Sequence, residues 1–203
     1  MGFYEKHVFP HLMDLGMRQF KNLRAQAVAD AHGDVLEIGF GTGLNLPHYP
    51  SAVKRIFAVD PIDSLRARIE RRIERAGFPV ERLPLAADGG LPFEDDRFDC
   101  VTMTWTLCSI GDPAAALAEM RRVLRPGGPL LFIEHGRSDD ERIARWQRRL
   151  NPIQRRIGCG CHLDRPIDEL IRRAGFGIVE LDRFVASKRS RIFTEMYRGV
   201  ARA

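Results

Sequence analysis

A short strand-like run followed at once by three alternating glycines is the feature that most constrains the fold of this chain. Within DVLEIGFGTGLNLPHYP, residues 34–50, the run Val35–Ile38 leads directly into Gly39, Gly41 and Gly43. Glycines at such a point allow the backbone to turn tightly and to approach a ligand that a Cβ atom would exclude. The segment therefore predicts a parallel strand whose carboxyl end meets a nucleotide-like molecule.

Strand and helix signals alternate along most of the chain. Strands are expected at VLEI, RIFAVD, PVERLPL, FDCVTMTW and PLLFIEHG, and helices at 11–31, 64–77, 112–124, 139–150 and 165–175. The last two segments, GIVELDRFV and IFTEMYRGVA, flank the basic turn ASKRS and predict a hairpin. This order predicts an α/β fold with a Rossmann-like seven-stranded sheet. The sheet is expected to be mostly parallel with an antiparallel C-terminal hairpin strand, and with helices on both faces.

The length of 203 residues suits a single domain. We expect residues 1–33 to form an N-terminal helical cap or lid and residues 34–203 to form the Rossmann-like core. The first twenty residues carry charges and histidines where a signal peptide needs an apolar stretch, so a cytoplasmic location is expected. Four cysteines in a reducing compartment are usually free thiols.

The cysteines also bear on metal binding. Cys159, Cys161 and His162 stand together in GCGCH. They supply only one cluster of ligands, whereas a structural zinc site usually combines two spaced pairs. On this pattern we expect no metal site.

The net charge of +5 is concentrated between residues 137 and 173, which hold 10 arginines and 6 acidic residues. Such a region suits an anionic membrane, nucleic acid or an acidic substrate, or else a solvated helical face with ion pairs. We favour the solvated face and expect no nucleic-acid partner, because Trp146 is the single aromatic residue there. Trp146 itself is expected to anchor its helix in the core. Peripheral membrane contact stays open, and the sequence does not predict an oligomeric state.

The glycine spacing narrows the ligand. A dinucleotide fingerprint has the spacing G-x-G-x-x-G, but its third glycine position is occupied here by Leu44. Pro47 and Pro50 cut short the helix that would receive a pyrophosphate. Asp60 ends the second strand, where a carboxylate accepts ribose hydroxyls, and Asp88 follows the third strand, where it would meet an adenine amine. The sequence thus predicts a ligand with a ribose and adenine but no pyrophosphate.

Taken together, VLEIGFGTG, FAVDP, LAADGGLPFEDDRFDCV and EMRRVLRPGGPLLFIEHG resemble the motif series of class I S-adenosylmethionine-dependent methyltransferases. The resemblance extends over essentially the whole chain. GLNLPHYP, TWTLCSI, EHGRS and GCHL are similar to a bacterial branch that in turn resembles animal methyltransferase-like alkyl-thiol S-methyltransferases.

The resemblance implies S-adenosyl-L-methionine as the cofactor. It also implies cofactor-binding roles for Glu37, Gly39, Phe40, Gly41, Gly43, Asp60, Pro61, Ile62, Ala87, Asp88, Thr104 and Trp105.

The methyl acceptor should arrive over the ends of the fourth and fifth strands. His135 is the candidate catalytic base, because a histidine can take a proton near neutral pH; the alternative is a strand-end histidine that only holds a loop. The candidate acceptor pocket comprises Tyr4, Cys108, Glu134, Cys161 and His162.

The apolar and sulfur-containing character of these segments predicts a small, hydrophobic acceptor. The resemblance implies methyl transfer to it, with a thiol favoured. Two alternatives are methylation of a lipid head-group amine or quinone at a membrane surface, and a non-catalytic module that binds S-adenosylmethionine. A nicotinamide-dependent dehydrogenase is disfavoured by Leu44 and by the terminal hairpin.

Overall fold

A computed structural model describes residues 4, 8–60, 65–83 and 90–203. Seven strands are formed within these ranges: β1 Gly33–Ile38, β2 Val53–Val59, β3 Val80–Leu83, β4 Cys100–Thr104, β5 Pro129–His135, β6 Gly177–Val185 and β7 Glu195–Arg202. They make one sheet in the order β3-β2-β1-β4-β5-β7-β6. The pairs from β3 to β5 are parallel, and β7 runs antiparallel to both β5 and β6. The predicted sheet and its closing antiparallel strand are confirmed.

Six α-helices lie in the described ranges: α1 Phe9–Met17, α2 Lys21–Ala27, α3 Arg66–Ile73, α4 Pro113–Val123, α5 Glu141–Ile157 and α6 Ile167–Arg173. Asp112 caps α4 as predicted, since its carboxylate accepts the backbone N–H groups of Ala114 and Ala115. The single helix predicted over 11–31 is instead two helices joined by a 3-10 turn at Arg18–Phe20. The helix predicted to end at residue 150 continues through Pro152, which removes one helical hydrogen bond without ending the helix.

Apolar side chains cover both faces of the sheet. On one face Met103 and Phe132 pack with Leu117 of α4 and Ile171 of α6. On the other face buried residues from β1 and β2 pack with Ile69 of α3. The predicted helices on both faces are therefore confirmed. This sandwich fixes the carboxyl ends of β1, β2, β4 and β5 along one edge, where the predicted site residues follow.

The prediction that Trp146 anchors its helix in the core is wrong. Trp146 is half exposed, and Arg149 lies over its ring at 5.4 Å. Ala144 and Gln147 are the buried residues of α5. Trp146 is two residues from Ala144, about 200° around the helix, and so points away from the sheet. Gln147 is the anchor instead: it accepts the N–H of Ser138 and donates to the carbonyl of Gly136.

The arginine-rich region carries several of the expected ion pairs. Glu141 lies 3.4 Å from Arg137 and 3.8 Å from Arg148. Two further pairs join successive turns of α6, Asp168 with Arg172 and Glu169 with Arg173. Among the helices that the structure describes, none is both long enough and apolar enough to cross a membrane.

Candidate cofactor and acceptor site

The glycine loop has a backbone shape that only glycine adopts easily. Gly39, Gly41 and Gly43 have φ angles of +75°, +56° and +76°. A Cβ atom on Gly39 would lie 2.0 Å from the hydroxyl oxygen of Thr106, which follows β4. No described residue lies within 4 Å of a Cβ atom built on Gly41. The loop is thus pressed against the end of β4 on one side and is open on another.

Asp60 lies beside this loop, as the sequence predicts. Its carboxylate accepts the backbone N–H of Gly41 at 2.6 Å. The carboxylate at the end of β2 therefore fixes the loop that follows β1, and its contact with a ribose stays a prediction. The predicted contacts of Pro61, Ile62, Ala87 and Asp88 fall outside the described residues, so they stay predictions.

Glu37 and Phe40 lie beneath the loop rather than on its surface. Glu37 is 1% exposed and accepts hydrogen bonds from the amide of Asn45 at 2.8 Å and the hydroxyl of Tyr49 at 3.1 Å. Burial raises the pKa of Glu37 to about 7, against the effect of these two donors. The side chain of Phe40 is buried in the core, which leaves its backbone for the predicted cofactor contact.

Arg24 is a site residue that the sequence analysis missed. Its side chain is buried and donates through Nη1 to Asn45 at 2.9 Å and to the hydroxyl of Thr104 at 3.2 Å. Its guanidinium lies 4.7 Å from the ring centre of Trp105, and its buried Nε has no hydrogen-bond partner among the described residues. Burial lowers the pKa of Arg24 to about 10, so it remains charged at neutral pH. A buried cation with neutral partners is suited to an anionic ligand group.

Asp14 of α1 is a second missed residue. It is 1% exposed and accepts hydrogen bonds from Arg18, Arg68 and Arg72, and from the hydroxyl of Thr42 in the glycine loop. Burial opposes ionisation, but these donors hold the pKa of Asp14 well below its usual value. The contacts tie α1 to the loop and to α3. No local sequence pattern predicts these contacts, because Asp14 is a single acidic residue on an amphipathic helix.

Thr104 and Trp105 end β4 at the predicted place. Trp105 has a φ angle of +52°, a conformation that costs a non-glycine residue about 1–3 kcal/mol. Its ring lies 5.7 Å from that of Phe20. Such strain is typical of functional positions, where the surrounding structure holds the backbone in place.

Glu134 organises the segment that follows Trp105. Its buried carboxylate accepts the backbone N–H groups of Thr106, Leu107 and Cys108 at 2.6, 2.9 and 3.2 Å. Burial raises the pKa of Glu134, and the three donors limit that rise. Glu134 therefore positions residues 106–108, which lead from the contact of Thr106 with the glycine loop to Cys108.

Two cysteines and a histidine meet behind this segment. Nε2 of His135 lies 3.0 Å from Sγ of Cys161, which lies 3.8 Å from Sγ of Cys108. Hydrogen bonding from Cys108 and His135 lowers the pKa of Cys161, and the same contact with Cys161 raises that of Cys108. Burial alone would lower the pKa of His135, but the contact with Cys161 leaves it raised.

The two remaining acceptor-pocket candidates contact different parts of the chain around this cluster. His162 donates its backbone N–H to the carbonyl of Cys108 at 2.8 Å. Tyr4 donates its hydroxyl to the carbonyl of Ile157 at the end of α5, four residues before Cys161. The structure thus gathers Cys108, Cys161, His162 and the predicted base on one side of β4, and it places Tyr4 at the start of the loop that carries Cys161.

A doubly covered sheet with a glycine loop after β1 and a carboxylate after β2 is typical of nucleotide-binding enzymes, and the antiparallel β7 separates this sheet from those of dinucleotide-binding domains. Residues 36–132 match the family model described as a methyltransferase domain. The chain belongs to the class I S-adenosylmethionine-dependent methyltransferases, and the predicted family and cofactor are confirmed.

Two related proteins and one solved structure are similar to this chain over most of its length. Thiol S-methyltransferase TMT1B of Rattus norvegicus is 33% identical over 192 residues, which cover 87% of this chain and 78% of the relative. Phosphatidylethanolamine N-methyltransferase of Cereibacter sphaeroides is 30% identical and covers 73% of this chain and 72% of its own length. The crystal structure of a putative methyltransferase from Bacillus halodurans has a TM-score of 0.67 at 20% identity, covering 90% of this chain and 96% of that one, and shows the same fold.

Proposed function

We propose that this methyltransferase transfers the methyl group of S-adenosylmethionine to the sulfur of a small, apolar thiol. The observation that carries the proposal is the cluster of Cys108, His135 and Cys161, which lies directly behind the segment that borders the glycine loop. Polarisable sulfur and imidazole groups suit a thiol better than a charged acceptor. The similarity to a thiol S-methyltransferase supports the same acceptor class.

In the proposed reaction the acceptor thiol loses its proton and its sulfur forms a bond to the methyl carbon. The methyl–sulfonium bond breaks at the same time, and its electron pair stays on the departing S-adenosylhomocysteine. The chain chiefly has to align donor and acceptor and to exclude water, an effect worth up to about 7–11 kcal/mol. We assign the alignment to Trp105 and to the segment held by Glu134. His135 stays the proposed catalytic residue and acts at the acceptor together with Cys161.

We also propose that Arg24 holds the carboxylate of the methionine part of the cofactor. Its guanidinium lies against Thr104 and Trp105, where the family resemblance places that part of the molecule. Its unpartnered Nε would donate to the carboxylate, and the bound anion would neutralise a charge that is otherwise buried with neutral partners. Asp14 would keep α1 over the loop as part of the expected lid.

The test is formation of S-adenosylhomocysteine with matched panels of alkyl thiols, amines and phenols. We expect turnover with thiols and a large loss of turnover in Asp60→Ala, while Asp34→Ala serves as the control. Asp34 is also a partly buried carboxylate, but it lies at the opposite end of β1 from the glycine loop, where it pairs with Arg97. Turnover with amines or phenols alone would exclude the thiol assignment.

A second candidate is methylation of a lipid head-group amine. It is favoured by the similarity to a phosphatidylethanolamine N-methyltransferase and by the exposed side chains of Trp146, Ile153 and Ile157 on the arginine-rich helix α5. Vesicles that contain phosphatidylethanolamine and an anionic lipid provide the test. Methylated lipid in these vesicles would support this candidate, whereas no methylation and no sedimentation with the vesicles would exclude it.

A further inference from the structure

Cys108, His135 and Cys161 come from three separate segments: the chain after β4, the end of β5 and the loop after α5. We refer to them as the sulfur–imidazole cluster. One donor atom from each, the two Sγ atoms and one ring nitrogen, lies within 4.8 Å of the other two. Because Cys161 is 26 positions from His135 and 53 from Cys108 along the chain, no local spacing pattern reveals the cluster.

Backbone contacts hold the cluster in place. The N–H of Cys108 binds Glu134, next to His135 on β5. The carbonyl of Cys108 accepts the N–H of His162, next to Cys161. Cys108 is thus fixed through its own main chain, Cys161 through the main chain of His162, and His135 through the side chain of Glu134. Such preorganisation lowers the cost of bringing ligands together.

The spacing fits a tetrahedral metal ion. With zinc–sulfur bonds of about 2.3 Å and zinc–nitrogen bonds of about 2.0 Å, a tetrahedron has a sulfur–sulfur edge of about 3.8 Å and a sulfur–nitrogen edge of about 3.5 Å. The two Sγ atoms are 3.8 Å apart. Nε2 of His135 and Sγ of Cys161 are 3.0 Å apart, so the ring has to move by about half an ångström to reach the ideal edge.

We propose that the sulfur–imidazole cluster binds one zinc ion, and that the acceptor thiol occupies the fourth coordination position as a thiolate. Three protein ligands and an open fourth position are typical of catalytic zinc, and two thiolates with an imidazole suit zinc among the divalent metals. Two thiolates also neutralise the ion, which suits a buried site. The part concerning the acceptor rests on the proposed function.

The chemistry balances without a further reactant. When zinc is bound, His135 serves as its ligand and not as the base, so the acceptor thiol releases its proton to solvent on coordination and becomes a thiolate at neutral pH. The coordinated sulfur then attacks the methyl carbon, and S-adenosylhomocysteine departs with the electron pair of the broken bond. The product is a neutral thioether, a weaker ligand than a thiolate, so it leaves the fourth position. Cys161 is the least buried member of the cluster, and the acceptor would enter on its side.

The first experiment measures zinc by mass spectrometry after growth with zinc and extensive dialysis. We expect about one zinc ion per chain in the wild type, and at least a tenfold loss in Cys108→Ser, His135→Ala and Cys161→Ser. Cys159→Ser is the matched control, since it alters a cysteine two positions from Cys161 that is not part of the cluster. Wild-type protein with less than a tenth of an equivalent of zinc, or with a Cys108–Cys161 disulfide in its place, would overturn the proposal.

The second experiment replaces zinc with cobalt(II) and records the visible spectrum during titration with an alkyl thiol. We expect the intense bands of a tetrahedral cobalt–thiolate centre, and a shift of these bands when the thiol binds. Bands that do not respond to the thiol would refute the open position while leaving the metal site intact. A spectral response without formation of any thioether would refute the proposed function alone. Full thiol methylation by protein stripped of metal would refute the role of the metal alone.

Discussion

Replacement of Arg24 by methionine tests how the cofactor is held. Methionine keeps much of the side-chain volume but removes the charge that lies against Thr104 and Trp105. Asn45 stands between Arg24 and the carboxylate of Glu37, accepting from the first and donating to the second. The charge of Arg24 is therefore bound by neutral groups in the ligand-free protein, and the cofactor carboxylate would be its direct ionic partner.

The expected loss follows from the burial of the guanidinium. At about 3.5 Å and an effective dielectric constant of about 20, the attraction between two unit charges is about 5 kcal/mol. Desolvation of the cofactor carboxylate removes part of this gain, which leaves about 2–3 kcal/mol. Arg24→Met should therefore raise the dissociation constant of S-adenosylmethionine by about 30- to 150-fold. Arg24→Lys should recover part of the loss, because it keeps the charge but not the planar fork.

Calorimetric titration with S-adenosylmethionine and with its decarboxylated analogue separates this role from a general loss of structure. Binding of the analogue should be weak in the wild type and nearly unchanged by Arg24→Met. Lys21→Met, an exposed position at the start of the same helix, is the control and should leave both affinities unchanged. If Arg24→Met weakens both ligands equally, Arg24 supports the fold of the site and the proposed ion pair is refuted.

Three further changes probe the loop and the charges beneath it. Gly39→Ala should reduce cofactor affinity more than 100-fold, because the loop has to shift to relieve both its positive φ angle and the clash of the new Cβ atom with Thr106. Gly16→Ala is the control and should leave the affinity unchanged, since its new Cβ atom meets no neighbour within 4 Å. Asp14→Asn should lower the free energy of unfolding in urea titrations by about 2–3 kcal/mol, because its partner arginines would be left without a buried anion. The loss should exceed that of Asp34→Asn, and an equal loss would contradict the role of Asp14 in joining α1 to the loop and to α3. The pKa of Glu37 is raised to about 7, so the folded protein favours the protonated carboxyl. The free energy of unfolding of the wild type relative to Glu37→Gln should therefore fall by about 3 kcal/mol between pH 4.5 and 7 and stay constant above pH 7. A difference that does not depend on pH would refute the raised pKa of Glu37.

The succession of strands and helices along the chain and the glycine loop were predictable because they depend on local patterns. The run before Gly39, the cap at Asp112 and the paired strands around ASKRS each have a signature within a few residues. The position of Asp60 beside Gly41 follows from the same logic, since carboxyl ends of adjacent parallel strands meet at one edge of a sheet.

The parts of the site that escaped prediction depend on contacts between distant segments. Arg24 reaches Thr104 across 80 residues, and Asp14 reaches Arg72 across 58. The members of the sulfur–imidazole cluster were predicted one by one, as pocket residues and base, but their direct contacts were not, because Cys108 and His135 lie 53 and 26 positions from Cys161 along the chain. Trp146 shows the opposite error, in which an aromatic residue suggested burial although its helical position faces outward.

One competition experiment tests the central claim, that a thiol is the acceptor at this site. The protein would be given S-adenosylmethionine with an isotopically labelled methyl group and an equimolar mixture of an alkyl thiol, an alkyl amine and a phenol of similar size. Mass spectrometry of the products then shows which atom receives the label. The account predicts that the label appears almost wholly in the thioether, and that Cys161→Ser reduces it. Label found chiefly in the N-methyl or O-methyl product would contradict the account.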